Sequence, residues 1–320
     1  MASIAGSDVR GCLGFAHEAL FYRDTRAYLD TIVPFVRDGL AAGEPVAVAV
    51  PGPQLTTLRG ALGGTDAAAV HMLDMTEVGR NPTGIIGGVL RSFADRYEGR
   101  VRLVGEPIWS ARTSIEYLAA LEHEALINDA FAGRDATILC PYDVSTLAPS
   151  TIADAAATHP ELIDERGPHP SDSYAPGAVV AGCNRPLPAP VDVEAFRFDL
   201  GTLSEARRFA ASRAEACGLR GNRIDDVAVA VGELSANSIQ HAGGSGVLRV
   251  WREHDPAVGT DALVCQVDDA GRHSNPLAGR VPASPDQLGG RGLLLVNRIA
   301  DLLRTYRGPD HTATRIWFRC

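Results

Sequence analysis

The fold of the last third of the chain is decided by residues 233–241, which read ELSANSIQH. Glu233, Asn237 and His241 are spaced at i, i+4 and i+8, so they share one stripe of a helix. The apolar residues at helical spacing around them are Ile224, Val227, Ala228, Val231, Leu234 and Ile239. The pattern predicts a helix that presents a carboxylate, a carboxamide and an imidazole on one side.

Two motifs after this helix supply groups suited to a nucleotide. Residues 263–267 predict a strand that ends at Asp269, and Gly271 lets the backbone turn closely behind it. The run 289–293, Gly-Gly-Arg-Gly-Leu, then opens a helix whose N-terminal N–H groups favour phosphate. An amide oxygen is a hard ligand for Mg²⁺, and a carboxylate one turn away can activate a nucleophile. A carboxylate at position 269 can accept a hydrogen bond from an adenine amino group. Together the motifs predict binding of Mg·ATP.

In this order the motifs resemble those of the GHKL ATPase superfamily, and within it the anti-sigma-factor serine kinases. ELSANSIQH resembles the N box, DDAG (268–271) the first glycine box, GGRGLLLVN (289–297) the second, and HTATRIWF (311–318) the closing strand. The resemblance implies an α+β ATPase sandwich over residues 191–320, with Glu233 as catalytic base or orienter and Asn237 as the Mg²⁺ ligand. The positions it assigns to the ATP site are Asn237, His241, Asp269, Gly271, Gly289, Gly290, Arg291, Gly292, Leu293 and Thr312.

Two positions depart from the family pattern. The second glycine of the D-x-G-x-G box is His273, and the glycine before the closing threonine is His311. Both side chains add bulk near the adenine position, which predicts weak activity. A non-catalytic ATP-binding regulatory protein is therefore an alternative to a kinase.

Composition excludes several classes of protein. The length of 320 residues suits two domains, and the net charge of −9 argues against direct nucleic-acid binding. All 30 basic residues besides histidine are arginines, so the lysine that P-loop enzymes and eukaryotic-type kinases require is missing. No apolar run reaches membrane-spanning length and no signal pattern is present, so we expect a cytoplasmic protein with reduced thiols.

The front half, residues 1–165, predicts an α/β domain. Strand-like runs at 45–50, 70–75, 101–104 and 136–140 alternate with helices that begin near Thr25, Gln54, Pro82, Arg112 and Thr151. This alternation favours a parallel sheet covered by helices, with ligands beyond the carboxyl ends of the strands. Cysteine and histidine lack zinc spacing, so no zinc site is expected.

Several stretches of this half resemble the MEDS sensory domain of the DcmR type. They are HEALFYRD (17–24), FVRDGLAAGEPVAVAV (35–50), GEPIW (105–109) and CPYD (140–143). The resemblance implies small-molecule sensing on a fold like that of P-loop ATPases without the P-loop, since Pro-Gly-Pro-Gln (51–54) follows the first predicted strand. The residues predicted to form the sensory pocket are His17, Tyr22, Glu106, Trp109, Cys140, Tyr142 and Asp143.

Residues 166–190 are rich in proline and glycine and predict a linker between the two domains. The whole resemblance implies a ligand-responsive anti-sigma factor and serine/threonine protein kinase that regulates transcription by partner switching. Its implied partners are a sigma factor and an anti-anti-sigma protein of the STAS type, and a homodimer is a further expectation. An atypical histidine kinase is the second alternative, although the only His-Glu pairs, at His17 and His123, lie far from the ATPase motifs.

Overall fold

Two β-sheets organise the molecule, one in each half of the chain. The computed structural model describes residues 14–255, 260–272, 275–282 and 290–320. The predicted site residue Gly289 and the departure at His273 lie outside these ranges. The front sheet has seven strands in the order β3-β2-β4-β5-β1-β6-β7, and the back sheet has five in the order β11-β12-β10-β9-β8.

The front half alternates strands and helices as its sequence predicts. Its strands are Phe15–Tyr22 (β1), Val46–Val50 (β2), His71–Asp74 (β3), Val101–Gly105 (β4), Ala136–Asp143 (β5), Glu161–Asp164 (β6) and Gly167–Pro170 (β7). Its helices are Thr25–Ala41 (α1), Gly52–Ala69 (α2), Met75–Val78 (α3), Ser92–Ala94 (α4), Ser114–Ala130 (α5), Pro149–Thr158 (α6) and Pro176–Cys183 (α7). The chain between α3 and α4 forms a 3₁₀ turn, Pro82–Gly84, and a π-helical segment, Ile86–Arg91.

The front sheet is buried on both faces because its helices cover it on both sides. All strand pairs from β3 to β6 are parallel, and only the β6–β7 hairpin is antiparallel. Successive residues point to opposite faces, so Ala19 packs in one core and Leu20 in the other. β2 shows the consequence, since all five of its residues, VAVAV, are buried.

Two features of the front half differ from the sequence prediction. The first strand is Phe15–Tyr22, which the prediction did not include, and it lies between β5 and β6. Within the expected linker, residues 167–183 instead continue this domain, since β7 pairs with β6 and Val180 of α7 packs against the front core. Its proline and glycine serve local turns: Gly167 has φ +88° in the hairpin, and Pro176 begins α7.

The back half is an antiparallel sheet with helices on one face. Its strands are Glu194–Asp199 (β8), Ser245–Asp255 (β9), Thr260–Asp269 (β10), Leu302–Arg307 (β11) and Thr312–Arg319 (β12). Its helices are Leu203–Cys217 (α8), Asn222–His241 (α9) and Gly292–Ile299 (α10). The core between this sheet and the helices includes Leu234, Leu263, Val296 and Phe318, which confirms the predicted α+β class.

The second face of the back sheet packs against α5 of the front half. Val264, Leu302 and Trp317 form a separate apolar cluster with Ala119, which is on α5. This contact explains why α5 is buried on nearly all sides, including its charged residues. Among the described residues, the search for a helix with the length and apolarity of a membrane span finds none.

Candidate functional site

A small cavity in the back half lies between α9, α10 and the end of β10. Its volume is about 50 Å³. The predicted site residues Asn237, Asp269 and Leu293 line it, and the rest of the lining is Leu234, Ser238, Val267, Asn275, Ala278, Thr305, Arg307 and Thr314. The structure therefore brings together side chains from the N box, the first glycine box and the second glycine box.

Two hydrogen bonds orient the Asp269 carboxylate at this cavity. The Ser238 hydroxyl donates to its Oδ2 at 2.6 Å, and the Gly271 N–H donates to its Oδ1 at 2.8 Å. A carboxylate oxygen has two acceptor positions, so each oxygen can still accept a hydrogen bond from a ligand. The carboxylate is thus oriented in advance for a donor such as an adenine amino group.

Thr312 and Gly271 fix the backbone under this carboxylate. The buried Thr312 hydroxyl donates to the Gly271 carbonyl at 2.8 Å. A Cβ at position 271 would lie 2.8 Å from both Asp269 Oδ1 and the Ala242 methyl group, so only glycine fits without displacement. The first glycine box and the closing strand therefore form one connected turn.

Glu233 lies against the N-terminus of α10. A Cβ at Gly292 would lie 2.3 Å from Glu233 Oε2, which shows how closely the carboxylate approaches this backbone. Arg291 is the N-cap of α10 and provides no side-chain cap, and Gly290 has φ +80°. The first N–H groups of the helix therefore lie beside the carboxylate, where phosphate would be expected to bind.

His241, like Glu233, is not part of the cavity lining that the described residues form, whereas Asn237 is. The His241 side chain is exposed at the end of α9. A histidine at a helix C-terminus interacts favourably with the helix dipole when it is protonated. The structure thus gives His241 a helix-terminal position, and its assignment to the ATP site stays a prediction.

A second cavity lies at the carboxyl ends of β1, β2 and β5 in the front half. Its volume is about 350 Å³, which is within the range of ligand pockets. Two of the predicted sensory residues, Tyr22 and Asp143, line it, together with Arg23, Asp24, Thr25, Tyr28, Pro53, Gln54, Thr57 and Ser145. The position agrees with the edge at which open α/β sheets bind ligands.

Glu106 is buried directly behind this cavity. The Tyr22 hydroxyl donates to Glu106 Oε1 at 3.1 Å, while Oε2 has no hydrogen-bond partner in the described structure. Burial raises the pKa of Glu106 from 4.5 to about 8, and the Tyr22 hydrogen bond opposes that shift. Glu106 is therefore a neutral acid at pH 7 and can act as a hydrogen-bond donor.

The other four predicted sensory residues lie elsewhere. His17, Cys140 and Tyr142 point to the opposite face of the sheet, where all three are buried. Trp109 is half-buried, with the Arg112 guanidinium 3.8 Å from its ring centroid. The sequence prediction grouped residues from both faces of the sheet into one pocket. Neighbours along a strand, such as Tyr142 and Asp143, point to opposite faces and cannot line the same pocket.

Comparison with protein families assigns both halves. Residues 16–160 match the MEDS family, described as MEthanogen/methylotroph, DcmR Sensory domain, and residues 196–319 match the Histidine kinase-like ATPase domain. The chain joins a MEDS domain to a histidine kinase-like ATPase domain. A comparison with curated proteins finds no match. The ATPase domain implies nucleotide binding, and its union with a sensory domain supports a regulatory ATPase or kinase.

The MEDS domain contacts the wall of the ATPase cavity through Glu122 of α5. Arg307, which lines the cavity, donates from Nη1 to Glu122 Oε1 at 3.1 Å, and Arg280 donates to Oε2. Glu122 and Arg280 are both nearly inaccessible to solvent. Burial raises the pKa of Glu122, but the two guanidiniums outweigh it and hold the pKa below 4.5. The sequence offered no signal for this triad, because 158 and 185 positions separate its members.

The same interface fixes the start of the 3₁₀ turn against α10. Asn81 Nδ2 donates to the Asn297 carbonyl at 2.9 Å, and the Thr83 hydroxyl donates to Asn297 Oδ1 at 2.7 Å. Asn297 Nδ2 in turn donates to the Gly279 carbonyl at 2.7 Å, close to Arg280. The residues 275–282, which form one wall of the ATPase cavity, are therefore held by contacts that begin in the MEDS domain.

Proposed function

We propose that the protein is a ligand-responsive anti-sigma factor and an ATP-dependent serine/threonine protein kinase that regulates transcription by partner switching. The observation that carries the proposal is the convergence of Glu233, Asn237 and Asp269 around the N-terminus of α10. A carboxylate, an amide oxygen and the N–H groups of a helix N-terminus are what phosphoryl transfer from Mg·ATP requires of a lysine-free site.

Each group has a chemical role in the proposal. When it is bound, Mg²⁺ offsets the negative charge of the ATP phosphates, and the Asn237 carbonyl oxygen is its side-chain ligand. Glu233 accepts the proton of an incoming serine or threonine hydroxyl, or orients that hydroxyl. Asp269 accepts a hydrogen bond from the adenine amino group.

Partner switching supplies the regulatory outcome. In the proposal the ATPase domain holds a sigma factor inactive, and an anti-anti-sigma protein of the STAS type competes for it. Phosphorylation of that antagonist restores the inactive complex. The MEDS domain adds control by a small molecule, for which the 350 Å³ cavity beside Tyr22 and Asp143 is the proposed site.

The second candidate function is a non-catalytic ATP-binding regulator. It is favoured by the cavity volume of about 50 Å³, because ligand pockets of drug-sized molecules measure about 300–1,000 Å³. His311, which replaces a family glycine, also contacts the Tyr306 ring, with 5.3 Å between ring centroids. As the described residues form it, the cavity is too small for a nucleotide unless its walls separate.

The positions of the two candidate phospho-acceptor histidines do not favour the histidine kinase alternative. His17 lies on strand β1, His123 lies on the interface helix α5, and each is about 1 % exposed. A histidine in either position cannot meet an ATPase active site without unfolding its surroundings. Neither of the two His-Glu pairs therefore fits the acceptor of a histidine kinase.

The test measures phosphate transfer and partner release with the full chain. Wild type is incubated with γ-labelled ATP, Mg²⁺ and each anti-anti-sigma protein encoded in the source organism, with the sigma factor that co-purifies with the chain. We expect label on a serine or threonine of one antagonist, and none with Glu233→Gln, which should still bind ATP. Binding without transfer to any antagonist would support the non-catalytic candidate. Failure to retain any sigma factor would contradict the anti-sigma role.

A further inference from the structure

Four potential metal ligands meet inside the MEDS domain, away from the 350 Å³ cavity. They are His17 on β1, Glu124 on α5, Cys140 on β5 and His159 directly after α6. Their ligand atoms all lie within 4.8 Å of one another, and all four residues are buried. Four separate elements of the domain therefore deliver one ligand atom each to a single point.

Three of the six separations between these atoms are close to those between ligands of one tetrahedral ion. Glu124 Oε2 lies 3.4 Å from His17 Nε2 and 3.1 Å from His159 Nε2, and Cys140 Sγ lies 3.5 Å from His17 Nε2. Zinc bond lengths of about 2.0–2.3 Å place tetrahedral ligands about 3.3–3.6 Å apart. The cluster is thus close to the size of such a site.

In both histidines, a hydrogen bond at Nδ1 orients the ring so that Nε2 faces the cluster. His159 Nδ1 lies 2.8 Å from the Ala155 carbonyl, and His17 Nδ1 lies 3.2 Å from Asn128 Oδ1. The Asn128 oxygen is the acceptor because its Nδ2 donates to the Ala125 and Thr158 carbonyls. A neutral histidine that donates from Nδ1 presents the Nε2 lone pair, which is the arrangement that metal sites use.

Glu124 supplies the strongest indication of a missing cation. Its two carboxylate oxygens are buried, and neither has a hydrogen-bond partner with suitable geometry in the described structure. His159 Nε2 is equally without one, although it lies 3.1 Å from Glu124 Oε2. If both imidazoles carry their proton on Nδ1, the two Nε2 lone pairs face the buried Glu124 carboxylate with no proton between them. That arrangement is unfavourable in an apolar core, and a coordinated ion would remove the cost.

We propose that His17, Glu124, Cys140 and His159 bind one divalent transition-metal ion in a closed tetrahedral site. Two imidazoles, a thiolate and a carboxylate are a donor set suited to zinc, and the two anionic ligands balance the charge of the ion. Because protein ligands fill all four positions, the ion would connect β1, β5, α5 and α6 and stabilise the domain. The spacing rule for zinc motifs missed the cluster because its ligands come from four elements far apart in sequence.

The test uses the full chain without a histidine tag. We expect elemental analysis of protein purified without chelator to find about one zinc ion per chain. After removal of zinc, Co²⁺ should restore a tetrahedral d–d spectrum with a thiolate-to-cobalt charge-transfer band, and chelation should lower the melting temperature. Wild type that carries no zinc and develops no thiolate band with Co²⁺ would overturn the proposal, whatever the behaviour of the variants.

Matched variants then locate the site. Cys140→Ser should abolish the thiolate band, whereas Cys217→Ser, which alters a buried thiol beside Cys320, should retain it. His159→Gln and Glu124→Gln should each weaken Co²⁺ binding by about tenfold or more. Loss of a residue that only supports a metal ligand already weakens metal binding by about tenfold, so loss of a ligand should cost at least as much. A band that persists in Cys140→Ser would place the metal elsewhere and overturn the assignment.

Discussion

Asn237 is the residue on which the proposed magnesium site depends. It lies half-buried in the ATPase cavity, one turn after Glu233 and 32 positions before Asp269, which lines the same cavity. We expect Asn237→Ala to weaken Mg·ATP binding by at least about tenfold, or 1.4 kcal/mol, because alanine supplies no oxygen to the ion. Isothermal titration calorimetry with and without Mg²⁺ measures the loss.

The matched control for this prediction is Asn222→Ala. Asn222 is the first residue of the same helix, and its side chain is exposed away from the cavity. It should leave Mg·ATP affinity unchanged. If Asn237→Ala binds Mg·ATP as tightly as this control does, Asn237 is not the ligand.

Glu106 carries a prediction about pH. Its carboxyl is protonated in the folded chain up to about pH 8, whereas in the unfolded chain it ionises near its ordinary pKa of 4.5. Between these values the folded state binds more protons, so its stability falls as pH rises, by up to roughly 1.4 kcal/mol per unit. We expect the free energy of unfolding of wild type to decline relative to Glu106→Gln from about pH 4.5 to 8, and the difference to level off above that.

Urea unfolding of both proteins between pH 5 and 9 measures this difference. The glutamine retains an oxygen that can accept from Tyr22, and the nearby Asp143 is common to both proteins. The comparison therefore isolates the ionisation of Glu106. A constant difference across the range would show that Glu106 ionises normally in the folded chain.

The elements α9 and α10 act as a pair in the proposed chemistry. Glu233 on α9 touches Gly292 at the start of α10 so closely that a methyl group would lie 2.3 Å from its Oε2. Gly292→Ala should therefore displace the Glu233 carboxylate and reduce phosphate transfer by about 10²–10⁴-fold, the usual contribution of a general base. The kinase assay with the identified antagonist measures it.

Gly60→Ala is the control for that substitution. Gly60 lies within α2, and a Cβ there would meet no atom within 4 Å. This variant should keep full transfer. Glu233→Ala combined with Gly292→Ala should be no worse than Glu233→Ala alone, since the contact is already lost; a further large loss would mean that Gly292 acts through another group.

Some helices and strands could be predicted from the local sequence pattern alone. The helical stripe at 233–241 and the buried strand at Val46–Val50 follow from side-chain period and polarity. Phe15–Tyr22 was missed because a strand buried on both faces, with His17 and Glu18 within it, lacks a clean period. Composition predicted a linker at 166–190, but residues 167–183 include β7 and α7, since proline and glycine favour tight turns as well as linkers.

The two candidate sites also differ in how much of their geometry the sequence could predict. The motif order of the ATPase half anticipated that Asn237, Asp269 and Leu293 share a cavity, because each box comes with its local geometry. The residues predicted for the sensory pocket divide between the two faces of the sheet, and only the sheet register shows which face a side chain occupies. Contacts between distant segments, such as Glu122 with Arg280, have no local pattern at all.

At the scale of the whole molecule, Glu122 joins the sensory domain to the nucleotide cavity. It pairs with Arg280, which is buried at the interface, and with Arg307, which is partly buried and also lines the cavity. Glu122→Gln leaves both guanidiniums without a counter-ion, and breaking a buried pair costs about 3–5 kcal/mol. We expect a loss of stability of this order in chemical denaturation.

The same substitution should have the opposite effect on nucleotide. The segment 275–282 forms one wall of a cavity of about 50 Å³, and Glu122 holds that wall through Arg280. Weakening the contact lowers the cost of opening the cavity, so Mg·ATP affinity should rise, on the order of tenfold. Glu116→Gln is the matched control on α5, because its partner Arg319 is 42 % exposed and the pair contributes little. If Glu122→Gln binds Mg·ATP more weakly, or no differently from this control, the interface does not hold the cavity closed, and the sensory domain must act on the ATPase domain by another contact.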